Sequence, residues 1–348
     1  MDYYVQVEDI LAGGAASLRD VHWLEVGYSR QGRLIRGARF GDGPRGISLI
    51  AGNHADEPTG PAFLRRLCGW LASLPAGHPL LQDYSWWIIP HTNPDGELVN
   101  EVWFDETAHT VDIITYLQRV QREKPGDDME FGYPRDTHDH DARPENRAAW
   151  AWWQSATTPF VLHASLHSMS IAGGPWFLID AAWVDRVDPL MTACREATTG
   201  LGYGLHDWER HGEKGFTRIA PGFCTRPSST AMRDYFLSRN DQKTADRFRP
   251  SSMEIIRDLG DDCLTMVSEM PIFCVPGIGK TLGPPDPVWE DWRARMGGWK
   301  LAAMDPDPDN LTALRRDIAQ SGLTPMPILD QMRLQWRMIT AGLLAIQP

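Results

Sequence analysis

The chain has 348 residues, 42% of them apolar or aromatic and 23% charged, a balance that excludes a disordered or collagen-like chain and leaves enough length to bury a sizeable core. With 46 acidic against 34 basic side chains the net charge is −12, which repels a phosphate backbone and sets nucleic acid aside as a partner. The opening MDYYVQVEDILAGGAA lacks a basic stretch followed by an apolar one, and no run of about 18 apolar residues occurs, so a cytoplasmic protein without a membrane span is expected.

In chain order, short apolar runs bounded by turn residues alternate with helix-like stretches. A strand is predicted from about Gly46 to Ala51, followed by the helical pattern PAFLRRLCGWLASL, and a second strand from Ser85 to Pro90. From Glu101 to Arg143 periodicity weakens and charge rises, which reads as a surface excursion with one helix near Val111 to Arg122. The stretch ARPENRAAWAWW reads as a helix, Phe160 to Leu166 as a third strand, DPDPDN at Asp305 to Asn310 as a loop, and Pro325 to Ile346 as a closing helix. The cysteines, Cys68, Cys194, Cys224, Cys263 and Cys274, are scattered and odd in number, so they read as small buried apolar groups, and most of the 15 tryptophans as core bulk. No internal repeat or linker breaks the pattern. The expected fold is a single α/β domain over 1–348, with a mixed, mostly parallel central sheet and helices on both faces. Its motif-bearing core covers about 46–271 and its C-terminal helical part 272–348.

His54, Asn93 and His167 each fall at or just past the end of a predicted strand, where α/β proteins collect functional groups. His54 and Glu57, three apart, can aim an imidazole and a carboxylate at one point if the chain makes a single helical turn there. Catalytic zinc takes three such ligands and keeps a position open for water, and His167, 110 residues beyond Glu57, is the best third candidate. An HxxE pair alone also decorates many helix starts.

Four further segments add weight: NPDG at Asn93, GDDMEFGYP at Gly126, PE at Pro144 and SEMP at Ser268. Together with HADE at His54 and SLHS at Ser165, their order and spacing over about Gly46 to Pro271 resemble the zinc metallocarboxypeptidase family, the carboxypeptidase A-like peptidases and their amidase and deacylase relatives. Their pattern runs HxxE, NPDG, GVDLNRNFP, PE, DLHS and a late TxExP. The resemblance implies one zinc ion held by His54, Glu57 and His167, with Glu269 as the general base that takes a proton from water and returns it to the leaving amine. It also implies an arginine beside the developing oxyanion; Arg122 is the closest match, with Arg119 a rival one helical turn earlier. Asn93 and Asp95 are expected to shape the turn and orient the ligands.

The departures fall on substrate groups. Where the family holds a terminal carboxylate with Asn-Arg, this register places Glu130 and Phe131, which removes an attraction and adds a repulsion. Arg135 is the nearest replacement, with Arg143 and Arg147 further possibilities. Ser165 replaces the aspartate two residues before His167, with His163 on the same strand face. No tyrosine stands near Asp246 to Phe248, which leaves Tyr203 and Tyr235 as alternatives. The segment DTHDHDAR at Asp136 offers His138 and His140 among aspartates, either as a second ion site or as a solvated acidic loop, and a single zinc ion is the reading kept. The expected function is a zinc-dependent hydrolase of an amide or peptide bond in a small peptide or amide substrate, with an altered terminal-carboxylate pocket. The alternatives are an N-acyl amino acid deacylase, or a member of the fold that has lost catalysis and keeps metal or ligand binding. Oligomeric state is not legible.

Overall fold

The computed structural model describes residues 3–13, 15–124, 126–260, 262–279 and 286–347. Its ten strands are β1 (Leu24–Tyr28), β2 (Leu34–Phe40), β3 (Arg45–Ala51), β4 (Tyr84–Ile89), β5 (Phe160–Ala172), β6 (Trp176–Ile179), β7 (Arg218–Ala220), β8 (Phe223–Thr225), β9 (Leu264–Cys274) and β10 (Thr324–Pro325). They form one sheet in the order β1-β2-β4-β3-β5-β9-β6-β8-β7, with β10 paired to β9. The sheet is mixed, with its parallel pairs at the centre, β4-β3-β5-β9, and at β6-β8; the remaining pairs are antiparallel.

The central strands are continuous apolar runs because both their faces are covered. Ile47 and Leu49 of β3, Trp86 and Ile88 of β4 and Leu162, Ala164 and Leu166 of β5 share one cluster with the helices Thr59–Ser73 and Ile328–Ala345. Ile50, Trp87, Ile89 and Phe160 point the other way, toward the helices Pro144–Gln154 and Ser252–Leu259. His163, Ser165 and His167 alternate with the first set and so share the second face. There His163 lies between Ser48 Oγ (2.9 Å) and Ser252 Oγ (3.0 Å), fully buried, as packing polarity and not as part of the site.

Several boundaries differ from the sequence reading. The third strand, expected to end at Leu166, runs on to Ala172 and carries His167 inside it. The helix expected over Val111 to Arg122 is Ile113–Arg119, and the chain after it runs extended, carrying Arg122 and Glu123 to the strand ends. DPDPDN is a loop only to Asp307, whose side chain caps the helix Pro308–Gln320. The closing helix begins at Ile328, because Pro325 and Pro327 precede it and the former pairs in β10. Among the described residues no helix is long and apolar enough to cross a membrane, and all five cysteines are free.

Candidate metal centre

The carboxyl end of β3 falls against the middle of the longer parallel strands β5 and β9, and the chain leaves β3 sharply there. Gly52 makes that turn with φ +74°, and a Cβ there would fall 2.3 Å from the His91 ring. The following turn presents His54 and Glu57 ahead of the helix Thr59–Ser73. Glu123 pins this turn by accepting from Ala55 N–H (3.0 Å) and from Asn93 Nδ2. Asn93 also caps the helix Pro94–Asn100. Asp95 faces elsewhere: it accepts from Ser29 Oγ (2.7 Å), Gln31 N–H (3.1 Å) and Arg33 (2.7 Å), closing the β1-β2 turn and orienting no metal ligand.

His167 lies on β5 in register with Glu269 of β9; Glu269 lines the cavity and His167 is buried beside it. His167 Nε2 meets Ser165 Oγ at 2.9 Å, and Ser165 receives Asn53 Nδ2 at 3.2 Å. Its Nδ1 lies 2.9 Å from Glu57 Oε2, an oxygen that also accepts from Ser168 N–H (3.2 Å). The other oxygen of Glu57 accepts from Arg122 (2.9 Å), which also donates to Asp56 (2.8 Å). Arg122 therefore reaches the site, whereas Arg119 is exposed at a helix end.

Glu130 lies deeper than its expected place in a substrate pocket. Its Oε2 stands 3.0 Å from His54 Nε2, and His54, Glu130 and His167 each bring a ligand atom within 4.8 Å of the others. Phe131 does line the cavity, edge-on to Phe248 with ring centroids 5.5 Å apart. Arg135 does not line it, because its guanidinium is turned to the carbonyls of Asp246 (3.2 Å) and Phe248 (3.4 Å). Arg143 is buried against Glu145 and the Asp127 carbonyl, and Arg147 is exposed. His138 and His140 are exposed as well. Tyr203 bonds Asp330 (2.8 Å), away from the site.

The electrostatics suit a divalent cation. Burial and Arg122 work against a charged His54, yet Glu57, Glu130 and Asp128 push its pKa up to about 10. Burial likewise opposes charge on His167, and Glu57, Glu130 and Glu269 raise its pKa. Burial disfavours a charged Glu57, but His54, His167 and Arg122 hold its carboxyl well below the usual range. The carboxylates thus favour positive charge at the imidazoles, which a divalent cation held there would also supply. Burial pushes Glu269 up to about 8, with Glu57 and Glu130 adding to it against His167.

The zinc carboxypeptidase family model matches residues 15–176. Zinc carboxypeptidase A 1 of Anopheles gambiae is 30% identical over 93 residues, 24% of this chain and 22% of that protein, so the match spans about a fifth of the relative's length. A metallo-carboxypeptidase from Burkholderia cenocepacia superposes with a TM-score of 0.50 at 15% identity, over 97% of this chain and 68% of that one. A metallo-carboxypeptidase from Pseudomonas aeruginosa, solved with (2-guanidinoethylmercapto)succinic acid, gives 0.48 at 17%, over 99% and 68%. Residues 15–176 thus carry the sequence pattern of the zinc carboxypeptidases, and the fold is one shared with the Burkholderia structure. His54, Glu57, Glu130 and His167 lie inside the matched span; Glu269 lies beyond it.

What the motifs did not reveal is the rest of the cavity. It encloses about 380 Å³, and its walls include Trp176, Trp208, Phe216 and Trp289, with Arg210 and Lys214 among them. These residues come from β6 and from loop and helix segments without a motif, and the density of tryptophan was their only signal.

Proposed function

We propose that this chain is a zinc-dependent amide hydrolase working as its family does, through one ion and one carboxylate base. The reading is carried by one observation: His54, Glu57 and Glu269 line a single cavity, with His167 buried against Glu57 beside them. His54, His167 and a carboxylate would hold zinc, which when bound would supply polarisation of an amide carbonyl and a water whose pKa is lowered toward neutrality. His54 Nε2 meets Glu130 and His167 Nε2 meets Ser165, while His167 Nδ1 faces Glu57, so that His167 and Glu57 would present their ligand atoms side by side. Glu57, already at His167 Nδ1, is then the third ligand, and Glu130 fixes the tautomer and tilt of His54.

Burial, with Glu57 and Glu130 adding to it, raises the pKa of Glu269, so its carboxylate holds a proton readily and gives it up readily near neutral pH. It takes the proton of attacking water at one carboxylate oxygen and delivers it to the departing amine nitrogen. Arg122, anchored on Asp56 and Glu57, faces the cavity with further N–H groups for the charge that develops on the carbonyl oxygen.

The test is mass spectrometry of zinc-loaded protein incubated with matched peptides bearing free, amidated or N-acylated ends, with a chelated control. Metal-dependent cleavage is expected, and Glu269→Gln should keep its zinc while kcat/KM falls by about 10²–10⁴-fold. Full turnover in that variant would remove the base.

A further inference from the structure

Away from the strand ends the cavity changes character. Trp176 stacks on Phe216 (centroids 5.8 Å apart, planes at 27°) and tilts against Trp208 (5.9 Å). Trp176 is the antiparallel partner of Glu269, so this aromatic wall begins beside the proposed base. The segment 207–218 then brings two cations to the same cavity. Asp207 clasps that segment at its neck, accepting from Arg218 Nε (2.8 Å) and Nη2 (2.9 Å). Just before it, His206 N–H donates to the Pro175 carbonyl (3.0 Å). That approach requires glycine in the β5-β6 turn, since a Cβ on Gly174 would fall 1.8 Å from the Gly204 carbonyl.

Arg210 lies over Trp208 and Phe216, at 4.6 and 4.9 Å, and donates to Glu213 (3.2 Å). Its Nε is buried without a hydrogen-bond partner among the described residues. Lys214 has its ammonium 4.4 Å from the Tyr235 ring, while Glu213 pairs with Arg210 and Arg239. Burial and the neighbouring Arg210 hold the Lys214 pKa below the ordinary lysine value. His211 and Lys214 are both left-handed, at φ 51° and 58°, which side-chain-bearing residues adopt only where their surroundings hold them. Two partly desolvated cations, one with an unmet buried N–H, sit on an aromatic wall. They are a strong acceptor site for a planar anion.

We infer that Arg210 and Lys214 form the subsite for a carboxylate that the substrate carries beyond an aromatic or bulky apolar portion lying along Trp176, Trp208 and Phe216. The anchor is thereby moved from the Glu130–Phe131 position, which offers no positive charge, to the 207–218 segment. The inference rests on the hydrolase reading only for what happens to the bound molecule.

The experiment measures binding and not turnover. Zinc-loaded protein is titrated with N-acetylphenylalanine and with its C-terminal amide, followed by tryptophan fluorescence and calorimetry. The free acid should bind about 10-fold tighter or more than the amide. The pair Arg210→Gln with Lys214→Gln should erase that ratio while leaving zinc content and the amide's Kd unchanged. Arg210→Lys with Lys214→Arg should keep most of it, which separates lost charge from a damaged loop. Equal affinities in the unmodified protein would overturn the subsite. So would a ratio that survives the double glutamine variant, because the carboxylate would then rest on the metal or Arg122. Acid preference without cleavage of any amide would leave the subsite standing and remove the hydrolase reading; cleavage without acid preference would do the reverse.

Discussion

At the inner end of the cavity, His167 and Glu269 stand on adjacent parallel strands and His54 and Glu57 on the turn leaving a third. At the outer end, Arg210, Lys214 and Phe216 stand on a segment whose regular structure amounts to one short 3₁₀ turn, Glu213–Gly215, and the three-residue strand β7. The inner groups are fixed by sheet hydrogen bonds and by one another; the outer ones by ring contacts, ion pairs and the hydrogen bonds of tight turns. Chemistry that needs atoms held to fractions of an ångström is built on the sheet, and recognition, which tolerates adjustment, on the loop.

The largest effects should come from the inner end. His54→Ala and His167→Ala should each weaken zinc binding by more than about 100-fold, measured by competition with a chromophoric chelator. The same measurement sharpens the ligand set: Glu57→Gln should cost as much, and Glu130→Gln only about 10-fold as the loss of an orienting carboxylate. The reverse order would make Glu130 the third ligand and Glu57 the orienting group.

Next is Arg122→Gln, expected to lower kcat by about 10²–10³-fold with little change in the Kd of N-acetylphenylalanine. A matching loss of binding with kcat preserved would move Arg122 from the reacting carbonyl to the substrate's carboxylate, and would blur the two regions into one.

Acid acts more evenly, through rings spread over the fold. Burial lowers the pKa of His163 in the sheet to about 3, and that of His206 below the loop and of His91 behind the β3 turn to about 4 each. Below an unfolded-state value of about 6.5 the unfolded chain takes up protons these rings refuse. Stability conferred by each ring is therefore full above that pH and is lost as pH falls toward 4, by about 1.4 kcal/mol per pH unit per ring. Urea unfolding of EDTA-treated protein between pH 7 and 4.5 measures the slope. His163→Gln should reduce it by one ring's share, and an unchanged slope would mean that His163 is protonated in the folded core.

The sequence disclosed the inner end well, because strand ends and metal ligands leave a fixed order of short motifs. HADE and NPDG fall just past the β3 and β4 ends, whereas SLHS lies inside β5, which runs on to Ala172; His163, Ser165 and His167 share the face their alternation implied. Glu130 was read one layer too far out, since register along a motif gives position in the chain and not the direction of a flexible carboxylate. Asp95 was misread for the same reason, its side chain turning to Ser29 and Arg33. The hairpin β1-β2 went unseen because its burial does not alternate cleanly. Arg210 and Lys214 were invisible: nothing in a sequence says which of 34 basic side chains a long connection folds back over a cavity.

The Asp207–Arg218 pair has a consequence for descent. A segment tied at its own neck can be shortened, extended or exchanged without re-threading the strands on either side of it. Between residues 208 and 217, then, a lineage carrying this architecture can rewrite what it recognises, while the inherited machinery at the strand ends passes unaltered from one appetite to the next.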